Sequence, residues 1–159
     1  MKATSAFYPG SEASVEDLIG LADSYYSAGC SAWTQADPKD PLSFAPVFLC
    51  TIQAVEIYLS AFLIFHGVDR RHVRGLQHDL ARRTTMAHER GLCLRAKTQA
   101  HLQRITDERD YLVVRYGPEQ ISGLPQPNRM FATMKEVSTK VRRAILRQPY
   151  DHSDPRFRK

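Results

Sequence analysis

Apolar residues along this chain recur at spacings of three and four, and no stretch alternates as a half-buried strand would. In SVEDLIGLADSYYSAG the stripe is Leu18, Leu21, Ala22 and Tyr25. Ser14 is placed to cap that helix, Glu16 and Asp17 sit where the helix dipole favours negative charge, and Gly29 is expected near its end. ADPKDPLS reads as a loop, because Pro38 and Pro41 cannot continue a helix. A long apolar helix is predicted from about Ser43 to His66, stopping at Gly67. After the basic connector GVDRRHVRG, a third helix is predicted over 76–90, closed by Gly91. A fourth, over about 95–116, carries Leu102, Ile105, Leu112, Val113 and Tyr116 on one stripe. In the last helix Met130, Met134, Val137, Val141 and Ala144 line one side, while Lys135, Lys140, Arg142, Arg143 and Arg147 cover the rest. The pattern predicts an all-α, single-domain up-and-down bundle of about five helices over 13–148. A loose N-terminal arm, 1–12, and a polar C-terminal tail, 149–159, flank it.

Composition changes this picture little. At 159 residues the chain is long enough to bury a sizeable core, and 43% hydrophobic with 25% charged residues is ordinary for a globular protein. Residues 44–65 are long and apolar enough to span a bilayer. Gln53 and Glu56 stand at the middle, however, where a carboxylate costs about 2.5–3.5 kcal/mol on insertion scales. The segment is therefore expected to be the central helix of a soluble bundle, with no membrane partner. No basic start with an apolar run and cleavage site opens the chain, and Cys30, Cys50 and Cys93 suit reduced thiols, so a cytoplasmic location is expected.

Charge adds more. Residues 1–65 hold two basic and seven acidic side chains, net −5, whereas the remainder holds twenty and ten, net +10. Such asymmetry suits either an acidic partner, with nucleic acid or a nucleotide the usual candidates, or a merely solvated basic face.

Candidate chemistry concentrates in VRGLQHDLARRTTMAH. Arg83 and His88 have four residues between them, but they lie about 140° apart around a helix. Asp79 suits a helix start and can pair with Arg83 one turn on, with His78 free to reach a neighbouring helix. Glu56 lies amid apolar neighbours, and Arg109 falls on the stripe between Ile105 and Leu112. A charge buried alone is strongly disfavoured, so a buried Glu56–Arg109 ion pair is expected, with Asp79 a further candidate partner. No HExxH, CxxC, GxSxG or glycine-rich phosphate loop occurs, so no metal or cofactor is expected.

The order of these residues resembles the HEPN superfamily over about residues 43–117. The resemblance lies in APVFLCTIQAVEIYLSAFLIFHG with its Glu56, then RGLQHDL with His78, Asp79 and Leu80, then YLVVRYG with Arg115 and Tyr116. It implies a helical homodimer that binds RNA or nucleotides, with Glu56, Asp79 and Tyr116 in the binding region. Many members are metal-independent ribonucleases of toxin–antitoxin, CRISPR-associated and other defence systems. A nucleotidyltransferase-like antitoxin is one such partner. Active members carry an Arg, four to six residues and a His, the His moving the 2′-hydroxyl proton and the Arg holding phosphate charge. Here Arg109 is followed by Arg115 where that His would stand, and Ser60 occupies a position where a Lys is common. Arginine stays protonated and cannot exchange the proton. The resemblance thus implies RNA or nucleotide binding first. A ribonuclease using His78 or His88 with Arg83, Arg109 or Arg115 comes second, and a non-catalytic interaction module third.

Overall fold

The computed structural model describes residues 8–146, which contain seven α-helices, two 3-10 turns and no strand. The expected all-α class holds. The helix count is higher than five because one predicted helix is divided and the basic connector forms a short helix of its own.

Helix α1, Val15–Gln35, opens on a reciprocal capping box in which the Ser14 and Asp17 side chains each accept the other's backbone N–H. Gly29 does not end it. It sits buried inside the helix, where an added Cβ would stand 3.0 Å from Thr51 Cγ2, so the missing side chain lets α1 approach the next helix closely. Pro41–Phe44 is a 3-10 turn leading into α2, Ala45–Phe65. Helix α2 is the hub, packed by α1 and by the later helices, with Val47, Leu59, Ala61 and Leu63 fully enclosed. It is the one described helix long and apolar enough to cross a membrane, and 67% of its apolar window is buried inside the bundle. Gly67, at φ 83°, turns the chain out of it.

The basic connector is itself partly helical. Asp69 accepts from the backbone N–H of Arg71 and His72, which starts α3, Arg70–Gly75. The predicted third helix begins later than expected, as α4, Leu80–His88, with Asp79 as its cap. The predicted fourth helix splits into α5, Ala96–Asp107, and α6, Asp110–Tyr116. Arg109 breaks it by adopting a left-handed conformation, φ 54° and ψ 41°. Leu102 and Ile105 stay buried, but past the break the stripe shifts: Val114 is buried, while Leu112 is 37% and Tyr116 76% exposed.

A second 3-10 turn, Pro118–Gly123, leads to α7, Pro127–Leu146. Met130, Met134, Val137 and Val141 are buried as the spacing predicts, but the stripe closes on Ile145, leaving Ala144 exposed. Three helices are clasped at one point. The Tyr58 hydroxyl donates to Asp23 Oδ1 at 2.5 Å, and Arg142 donates to Asp23 Oδ2. Arg147 and the tail 149–159 lie outside the described residues, as do residues 1–7 of the arm.

Candidate functional site: a carboxylate-held histidine beside a basic helix

Helix α2 carries Glu56 and, one turn later, Ser60 on the flank where the chain returns through α3 and α4. Two capped helix starts and a positive φ of 49° at Gln77 bend the backbone there, leaving His78 just outside α4. His78 Nδ1 lies 2.9 Å from Glu56 Oε2, and its ring stacks at 4.7 Å and 34° on Tyr111 of α6. The side chains of Glu56 and His78 are 14% and 32% exposed. With Nδ1–H donated inward to the carboxylate, Nε2 is the ring nitrogen left for solvent or a ligand.

Arg83 completes the cluster from beneath. Its side chain is 4% exposed, with Nη2 3.8 Å from Glu56 Oε1. Nε donates to Ser60 Oγ at 3.1 Å and Nη2 donates to the Val73 carbonyl at 3.2 Å. Burial pushes the guanidinium's pKa down, and the nearby charges of Glu56 and Asp79 oppose that. Arg83 thereby ties α2 to α3 and α4, and a ligand approaching from solvent meets His78 before it. It is a positioning residue for Glu56.

The expected Glu56–Arg109 ion pair is not formed. Arg109 is exposed, because the left-handed break turns it off the stripe that an unbroken helix would have given. The expected Asp79–Arg83 surface pair is also absent. The Asp79 carboxylate caps α4 by accepting from Arg82 N at 2.7 Å, while Arg83 points into the bundle. Arg83 and His88 do not converge either. His88 is exposed at the far end of α4, beside a shallow pocket of about 220 Å³ lined by Thr85, Gln99 and Gln103. Arg115 is exposed and lies one helical turn beyond Tyr111, so α6 presents it on the flank where His78 stacks. Tyr116 faces solvent beside a second pocket of about 270 Å³, together with Arg109 and Leu112.

Tyr111 and the role of Ser60 escaped sequence reasoning. Ser60 had a signal, a polar residue one helical turn after Glu56 in a largely apolar helix. Tyr111 had none, since its contact depends on the break at Arg109.

Basic side chains line the adjoining helices α3 and α4. Arg71 and Arg74 of α3 and Arg82 of α4 are exposed, Arg70 is half-buried, and among the described residues no carboxylate pairs with any of them. The polar contacts between α5 and α7 serve packing instead. Glu136 accepts from Arg95 N, Thr98 Oγ1 and Lys140 Nζ, and buried His101 meets Thr133 Oγ1 at 2.8 Å. Burial, with Arg129 and Arg104 nearby, holds His101 down at about 4. Among the described residues no group of three or more His, Cys, Asp or Glu side chains is placed to hold a metal ion. No family model, curated protein or solved structure matches the chain.

Proposed function

We propose that this protein is a HEPN-like helical domain that binds RNA or a nucleotide through the α3–α4 edge, acting as a homodimer. One observation carries the reading: His78, held by Glu56, stands at an edge where Arg71, Arg74 and Arg82 are exposed without carboxylate partners. Phosphates neutralise such cations and release counterions, while an oriented imidazole supplies a directional hydrogen bond. Two copies related by a two-fold axis set two such edges into one deeper positive cleft.

The test is titration of a labelled single-stranded RNA at two ionic strengths, with light scattering on the same sample. A dimer is expected. Its log affinity should fall linearly with log salt at about 0.7 per phosphate contacted, and the slope should shrink in Arg71→Ala and Arg82→Ala. A monomer without RNA affinity, or binding indifferent to salt, refutes the proposal.

A second reading, a metal-independent endoribonuclease, is favoured by the Glu56–His78 pair. A carboxylate that fixes Nδ1–H leaves Nε2 to take a proton from an attacking 2′-hydroxyl, while an exposed Arg holds the phosphate. Cleavage of labelled RNA in EDTA, lost in His78→Ala and unchanged in His88→Ala, would establish it. We expect no strong cleavage of generic RNA, because Arg115, which cannot exchange a proton, stands where the catalytic His of active HEPN members would be.

A further inference from the structure

The N-terminal arm makes two contacts that the binding edge alone does not require. The Tyr8 ring lies over the Arg74 guanidinium, 4.1 Å from carbon Cζ to ring centroid. Two residues on, the Gly10 carbonyl accepts from Arg70 Nη1 at 3.4 Å. A turn stiffens the segment between them: Ser11 N donates to the Tyr8 carbonyl at 3.0 Å, and Gly10 takes φ 87°, which glycine adopts freely. The turn is thus tied to α3 at Tyr8 and at Gly10, yet Tyr8 is 58% exposed. One face is backed by a cation and much of the remainder is open to solvent.

A large aromatic side chain held on an arginine, beside further unpaired arginines, is the local arrangement that single-stranded nucleic acid requires. Bases stack on the aromatic face and phosphates meet the cations. In α3, Arg71 is the next exposed cation, and Asp69, the adjacent acid, is already engaged in capping. We propose that Tyr8, backed by Arg74, is a stacking platform for one unpaired nucleobase, with the flanking phosphate on Arg71. This rests on the RNA-binding reading and adds a base-dependent, sequence-tolerant component to it. Because the open face is an aromatic plane without a directed donor or acceptor, any of the four bases should serve.

The experiment compares a labelled single-stranded RNA with an abasic strand of equal length, titrated against the full chain by fluorescence anisotropy. Tyr8→Ala should weaken binding of the base-bearing strand by about tenfold and leave the abasic strand unchanged. Tyr8→Trp should restore the lost affinity, since indole stacks as well. Arg71→Ala should weaken both strands alike. Equal affinity of wild type and Tyr8→Ala for the base-bearing strand overturns the platform and leaves RNA binding standing. Tighter binding by Tyr8→Ala also overturns it, showing that the ring competes with RNA for Arg74. Failure of the wild-type chain to bind either strand overturns both proposals.

Discussion

Replacing Arg83 by Met separates a buried positioning role from a surface one. The side chain of Met fills much of the same channel but cannot donate, so the Val73 carbonyl and Ser60 Oγ each lose a donor and Glu56 loses its buried cation. Removing one partner of a buried ion pair costs about 3–5 kcal/mol. Glu56 keeps His78 at 2.9 Å and is 14% exposed, so the lower end, about 3 kcal/mol, is expected. With a urea dependence of about 2 kcal/mol/M, the unfolding midpoint should fall by about 1.5 M at unchanged slope. Arg109→Met supplies the contrast. Arg109 is exposed, and its replacement should alter stability by no more than about 0.5 kcal/mol. Urea titration followed by circular dichroism measures both. If Arg83→Met unfolds with wild type, or Arg109→Met falls as far as Arg83→Met, then Arg83 is not what steadies Glu56.

Two buried titratable groups should oppose each other in acid. Burial raises Asp110 to about 6 from an ordinary carboxylate value, so the folded state takes up its proton first, and stability falls as pH rises through 4–6. His101, held at about 4, works the other way: the unfolded state takes its proton first, and stability is lost as pH falls below about 6.5. Thermal melts between pH 4 and 7 should therefore show Asp110→Asn turning acid-labile and His101→Gln gaining stability on acidification; identical profiles for the two would defeat the assignment. Arg109→Gly should stabilise the fold by about 0.5–1 kcal/mol by relieving the left-handed backbone, and any loss of stability in chemical denaturation counts against strain there. Tyr58→Phe should cost about 1.5–3 kcal/mol, since it removes a buried hydrogen bond to a carboxylate, and a midpoint equal to wild type would contradict this.

Much of the fold was legible because period and caps agree: Ser14 and Gly67 mark boundaries by local chemistry alone. The site was legible in part. Glu56 could be read as a buried acid needing a partner, but its partner could not. Placing Arg109 opposite it assumed a continuous helix over 95–116. One non-glycine residue in the left-handed region, which carries no sequence mark, rotates everything after it. Spacing alone makes Arg83 a surface partner of Asp79 one turn before it, whereas that carboxylate caps α4 and the guanidinium turns inward to Ser60. Propensity and spacing are local. The choice between two acids for one arginine is made by tertiary packing.

The clasp of Asp23, Tyr58 and Arg142 also bears on how long the native state lasts once formed. Asp23 and Tyr58 meet as soon as α1 and α2 pair, but Arg142 arrives across 119 residues of chain. Contacts of such separation form after the loop-closure entropy has been met by other packing, so the guanidinium is expected to engage late in folding. An interaction absent from the transition state slows escape from the native basin without hastening entry. The clasp would then act as a timer on α7, setting the lifetime of the closed chain against proteases more than its rate of formation.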